Sequence, residues 1–111
     1  MGPKELMEKI VAILDDKKGI DIKVIDISDS TIASDYFITC SGTSNTHIRA
    51  LAGEVEFKLK NEYDIRPKRK EGYDTSKWVL MDYGDVIVHI FDKEEREFYN
   101  LEKLWADGLL D

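Results

Sequence analysis

Apolar residues open the chain at helical spacing. Leu6, Ile10, Ile13 and Leu14 fall at i, i+4, i+7 and i+8, with Met7 and Val11 widening the stripe. The pattern predicts a helix over residues 3–17, with Pro3 in its first turn and Gly19 at its exit. In "IDIKVIDIS" the period drops to two. Ile20, Ile22 and Val24 share one parity and Lys23, Ile25 and Ile27 the other, which predicts a strand apolar on both faces in its second half. "DSTIAS" turns the chain, and "DYFITCS", residues 35–41, predicts a second strand. Ile48, Leu51, Ala52, Val55 and Leu59 then restore the helical period over about residues 44–62, with Thr43 or Ser44 available as a cap. Residues 63–76 are irregular, although "PKRKEGY" has room for a short edge strand whose charges would keep other chains from pairing with it.

The sharpest pattern is "KWVLMDYGDVIVHIF", two apolar runs joined by an acidic knuckle. A two-residue loop at Tyr83-Gly84 would set Asp82 opposite Asp85, Leu80 opposite Ile87 and Trp78 opposite His89. Val79, Met81, Val86, Val88 and Ile90 would then form a wholly apolar face for helices to cover. Trp78, Leu80, Asp82, Asp85, Ile87 and His89 would form a mixed face, the place to look for function. Asp92 can cap a last helix, with Glu95 completing a capping box, and Phe98, Leu101, Leu104 and Trp105 are spaced to dock it. The order α-β-β-α-β-β-β-α predicts one α/β domain over residues 1–111, a mixed sheet of about five strands flanked by helices.

Composition narrows the function classes. With 42% hydrophobic and 35% charged residues the chain is globular, and its longest apolar runs are too short to span a membrane. "MGPKELMEKI" has charges inside its apolar stretch and no cleavage site, so it reads as the start of a cytoplasmic protein and not as a signal peptide. The net charge of −7 argues against a dominant nucleic-acid backbone binder and suits a protein steered toward a basic partner. The local exception is "RPKRK", where Arg66, Lys68 and Arg69 are candidate RNA contacts, a solvated strand edge being the plainer explanation.

Parts for catalysis do not assemble. Gly42-Thr43-Ser44 lies between a strand and a helix, where an anion can meet helix amides, but it lacks the glycines and lysine of a phosphate loop. A nucleotidyltransferase-like site would want alternating carboxylates on one strand to hold magnesium, whereas Asp82 and Asp85 flank a hairpin turn. His47 and His89 with the single cysteine, Cys40, do not make a zinc set, and Cys40 in its apolar run reads as a core thiol. No catalytic residue, metal or cofactor is expected. A binding face fits better: Trp78 and Leu80 as apolar anchors, Asp82 and Asp85 as a charged rim, Tyr83 and Gly84 shaping the turn, His89 orienting the indole or joining the contact. The competing structural explanation is that the last helix and Trp105 cover Trp78.

These residues match a known pattern. Trp78-Val79-Leu80, Asp82-Tyr83-Gly84-Asp85-Val86, Val88-His89, Phe91, Glu95-Arg96, Phe98-Tyr99, Leu101-Glu102 and Leu104-Trp105 closely resemble the ribosomal silencing factor family, also called the Iojap family. Asp35-Tyr36-Phe37, Ser41-Gly42, Ser44, Pro67 and Glu71-Gly72 extend the likeness over about residues 5–106. The resemblance implies a nucleotidyltransferase-type domain without metal-binding carboxylates. It implies a protein that binds the large ribosomal subunit through its protein numbered fourteen, blocks joining of the small subunit, and pairs as a homodimer when free. Retained nucleotide binding at the Gly42 turn and a role in large-subunit assembly are the alternatives. Met81 and Ser76 depart from the family pattern, Ser76 standing where a turn glycine is common.

Overall fold

The structure, a computed structural model, describes residues 1–29 and 33–99, with backbone only for 98 and 99. Three of the turn residues, Ser30, Thr31 and Ile32, lie outside the described residues, as do the docking positions expected of Leu101, Leu104, Trp105 and the Phe98 side chain.

The elements run α1 (Pro3–Asp16), β1 (Ile20–Asp26), β2 (Tyr36–Ser41), α2 (Asn45–Tyr63), β3 (Arg69–Glu71), β4 (Trp78–Asp82), β5 (Val86–Phe91) and α3 (Lys93–Tyr99). Five strands form one mixed sheet in the order β1-β2-β5-β4-β3. β2 and β5 pair in parallel at its centre and the other neighbours are antiparallel. The predicted edge strand is real and short, with all three residues exposed.

α1 and α2 bury their stripes on one face of this sheet. Leu6, Ile10 and Leu14 of α1 and Ile48, Leu51, Val55 and Leu59 of α2 share one core with Ile38, Cys40, Val79, Met81, Val86, Val88 and Ile90. Burial pushes the Cys40 thiol up to about 11, so it stays protonated and inert near neutrality. Gly19 follows α1 as expected, but the left-handed residue at the helix exit is Lys18, φ 65°. Gly19 is required for space instead: a Cβ there would lie 2.6 Å from Cys40 Sγ.

The hairpin register differs from the sequence expectation. Trp78 pairs with Phe91, Leu80 with His89 and Asp82 with Ile87. The loop is therefore Gly84-Asp85, closed by Tyr83 N–H donating to Val86 C=O at 2.9 Å. The physical reason is the turn type. Only Gly84 takes positive φ, at 90°, which is the first central position of a II′ turn. A Tyr83-Gly84 loop of type I′ would have forced bulky Tyr83 into the left-handed region. Because the slip is two residues, both faces keep their composition.

The β3–β4 connection also depends on special backbone. Gly72 has φ 88°, and a Cβ there would sit 1.9 Å from the Trp78 carbonyl oxygen. Ser76 has φ 55°, a left-handed conformation that glycine adopts more readily than serine. Its hydroxyl donates to Tyr73 C=O at 2.9 Å and accepts from Arg49 Nη1 at 3.0 Å, which holds the turn in that shape.

Candidate functional site

The mixed face lies opposite α1 and α2. Strand parity places Trp78, Leu80 and Asp82 of β4 there beside Ile87, His89 and Phe91 of β5 and Phe37, Thr39 and Ser41 of β2. Trp78, Leu80, Asp82 and Ile87 are half-buried. His89 is 5% exposed, so its ring supports the face and does not front it.

An aromatic cluster organises this surface. Phe37 meets His89 edge-on with ring centroids 4.9 Å apart, and Trp78 lies against Phe91 at 5.4 Å. Trp78 sits diagonally from His89 and donates its Nε1–H to Nδ1 at 3.1 Å. Indole can only donate, so this bond assigns His89 a bare Nδ1 and places the neutral ring's proton on Nε2. The expectation that His89 orients the tryptophan thus has a geometric basis, although Leu80 is its true cross-strand partner.

The acidic knuckle divides into unlike parts. Asp82 Oδ1 accepts the Gly84 N–H at 2.8 Å, so this carboxylate fastens the turn. Asp85, in the loop, is exposed. Tyr83 corrects the sequence expectation of a loop residue. It continues the parity of Val79 and Met81, is 7% exposed and joins the core under the helices. Burial, then the nearby Glu56 charge, raises its phenol well above the usual range. Lys68 lies over the turn, its Nζ 3.1 Å from where a Gly84 Cβ would be, and its N–H donates to Asp82 C=O at 2.7 Å. Arg66 bonds Asp64 at 2.6 Å and Arg69 approaches Glu71 at 3.8 Å, all four side chains largely exposed. The basic run therefore flanks the acidic tip.

Arg96 is a structural residue that helical periodicity did not reveal. It is 8% exposed and reaches from α3 onto the mixed face. Its guanidinium donates to Ser41 Oγ at 2.9 Å and Thr39 Oγ1 at 3.1 Å, and lies 5.8 Å from the Phe91 ring centre. The available signal was Asp92: its Oδ1 accepts the Glu95 N–H at 2.7 Å, capping α3 and so fixing where Arg96 points. The rest of the predicted capping box is replaced, since the Asp92 N–H donates to Lys77 C=O at 3.0 Å.

The Gly42 turn uses its amides internally. Ser44 Oγ accepts the His47 N–H at 3.1 Å, and the Thr43 N–H donates to His47 Nδ1 at 2.9 Å. The other His47 nitrogen, Nε2, donates to Lys17 C=O at 3.1 Å, tying the end of α1 to the start of α2. Gly42 is needed because a Cβ would lie 2.7 Å from Ile48 Cγ1. A cleft of about 780 Å³ opens beside it at the carboxyl ends of β2 and β5, with Asp21, Asp92, Glu94 and Glu97 among its walls. Among the described residues no group of three or more His, Cys, Asp or Glu is placed to hold a metal ion.

Comparison with known proteins agrees along nearly the whole chain. The family model described as "Ribosomal silencing factor during starvation" matches residues 2–110. "Ribosomal silencing factor RsfS" of Bacillus subtilis (strain 168) is 42% identical, the match covering 99% of this chain and 92% of the relative. "Mitochondrial assembly of ribosomal large subunit protein 1" of Mus musculus is 32% identical over 96% of this chain and 47% of its own length. A crystal structure of a Chromobacterium violaceum protein superposes with TM-score 0.90 at 36% identity, covering 96% of this chain and 88% of that one. A Bacillus halodurans crystal structure gives 0.80 at 42% identity, covering 92% and 94%. In fold and in sequence alike, then, the chain belongs to the ribosomal silencing factor family.

Proposed function

We propose that this protein binds the large ribosomal subunit through the subunit's protein numbered fourteen and keeps the small subunit from joining, thereby repressing translation in the cytoplasm. Membership of a family named for silencing, and not for a reaction, supports the reading, as does a relative named for large-subunit assembly. The observation that carries it is the mixed face: Trp78, Leu80 and Ile87 half-buried on a sheet surface beside exposed Asp85, on a chain of net charge −7. Trp78 and Leu80 supply apolar anchoring, Asp85 meets basic side chains, and Asp82 with Gly84 holds the tip. His89 and Tyr83 hold their neighbours from beneath. Arg66, Lys68 and Arg69 reach ribosomal RNA at the periphery. No chemistry is required, because a 12.8 kDa body on a joining surface excludes the other subunit by volume. Off the ribosome the chain pairs as a homodimer, which sedimentation equilibrium tests as twice that mass.

The decisive experiment adds the protein to separated subunits and profiles them on a sucrose gradient. It co-sediments with the large subunit alone and reduces joined particles. Trp78→Ala, checked as folded, loses about 2–4 kcal/mol of affinity, a thirtyfold to thousandfold weakening. Near-native binding by that variant excludes the anchor role. The nucleotide alternative is less favoured, because the Thr43 and His47 amides at the Gly42 turn are already bonded within the turn. Its test is thermal melting with ATP and magnesium, where occupancy at 100 times the dissociation constant adds about 2.7 kcal/mol.

A further inference from the structure

The opposite end of the sheet carries a second, unrelated surface. β1 is an edge strand, and no described strand pairs with its outer side. Ile27 N–H donates to Asp35 C=O at 2.8 Å, which marks Ile27 and Asp35 as a hydrogen-bonded pair. Bonded and unbonded pairs alternate in an antiparallel ladder. Ile25 therefore bonds Phe37, while Val24 and Asp26, opposite Ile38 and Tyr36, turn their N–H and C=O groups outward. Next to this edge, between β1 and α1, runs an apolar groove of about 500 Å³ lined by Met7, Val11, Ala12, Ile22 and Val24. Val24 is 40% exposed and Ile20 44%, uncommon apolar exposure for an edge whose outward backbone groups meet no strand among the described residues.

We propose that this edge and groove form a docking site for an extended basic segment of a partner protein, which joins the sheet as an added strand. Backbone bonds to Val24 and Asp26 supply register, and the groove takes alternate apolar side chains. Charge selects the occupant. Glu8 and Asp15 rim the groove and Asp26 lies on the strand, while Asp21 is already engaged by Arg96 at 3.7 Å and by Lys23, the one base of β1, at 4.0 Å. Lysines or arginines flanking the incoming strand meet these acids. A second copy of this chain offers β1 with a single base, Lys23, and so lacks the flanking bases that would meet Glu8, Asp15 and Asp26. The bulge between Ile20 and Lys23, with Asp21 at φ 51°, confines regular pairing to Lys23–Asp26 and so limits the segment to a few residues. The site lies three strands away from β4 in the sheet order, so it does not rest on the Trp78 reading.

The test is an amide NMR titration of the isotope-labelled full chain with a blocked peptide, Lys-Lys-Val-Thr-Val-Thr-Val-Lys-Lys, and with its glutamate-flanked counterpart. The lysine peptide shifts the amides of residues 22–26 and 7–12 saturably and protects the Val24 and Asp26 amides from exchange, while the glutamate peptide binds at least roughly tenfold more weakly. Val24→Pro removes an outward N–H without touching the β2 ladder, and it weakens binding about tenfold or more. Should that variant misfold, Glu8→Lys with Asp15→Lys, both at exposed positions, abolishes the preference for the lysine peptide. The proposal is overturned if shifts map elsewhere, if none saturates by about 1 mM peptide, or if folded Val24→Pro binds as the parent does. It is likewise overturned if dilution of the protein alone moves the same amides, which would identify a second copy as the occupant.

Discussion

On the helix-covered side of the sheet, Val79, Met81, Val86, Val88 and Ile90 are fully buried and purely apolar. One residue along each strand, on the other side, Trp78, Leu80, Asp82 and Ile87 stay half-exposed around a buried histidine and a buried arginine. The two faces share every backbone hydrogen bond, so the difference lies wholly in side chains. The first face is held by non-directional burial, which tolerates any close-fitting hydrocarbon. The second is held by directed contacts: Trp78 to His89, and Arg96 to Thr39 and Ser41. These contacts bury His89, Arg96, Thr39 and Ser41 while leaving Trp78 half-exposed and fixed in place, the combination that the proposed binding face requires.

Mutations on the two sides separate these roles. The largest effect belongs to the covered face: Ile90→Ala should cost about 2–5 kcal/mol in urea unfolding, against roughly 1 kcal/mol for Ile87→Ala. Equal costs would mean that both faces are core. Next is pH. The folded Cys40 thiol titrates at about 11, above the value near 9.0 of a solvated thiol, so folded protein keeps a proton that the unfolded chain sheds. Stability is fully present below about pH 9 and falls by on the order of 2 kcal/mol as pH rises through about 11. Unfolding of the parent and Cys40→Ala at about pH 8 and about pH 10.5 isolates this loss from the tyrosines, because only the parent carries the thiol.

Smaller effects sharpen the mixed face. Trp78→Phe keeps a ring but removes the donor to His89 Nδ1, and should cost about 1–2 kcal/mol of stability. No change would reduce that bond to a passive contact. Smallest of all, Asp85→Asn should leave unfolding untouched and lower the association rate with large subunits by a few-fold, more so in dilute salt. Stopped-flow association at two ionic strengths checks it.

Much of this division was legible in advance, because period-two alternation assigns faces whatever the register. The register itself was misplaced by two residues. Two-residue loops containing Gly84 compete, and the choice depends on which central position tolerates positive φ. Tyr83 could have decided it, being too bulky for the left-handed region and of the same parity as Met81. Other features were not recoverable locally. β1 shows apolar residues on both faces, and only the strand order, set by the parallel pairing of β2 with β5, makes it an edge. Arg96 reads as a surface residue of a short charged helix until Asp92 and the mixed face give it partners.

That central parallel pair has a kinetic consequence. β2 must wait for β5, whose paired residues lie 50 positions later, Tyr36 with Val86 through Ser41 with Phe91. The β4–β5 hairpin closes over a two-residue loop and forms early, whereas seating β2 beside it requires closing a long stretch of chain. A nascent chain halted before residue 86 can make both long helices and still has no middle to its sheet. Assembly of the described sheet is therefore gated by β5, the last of its strands to be synthesised.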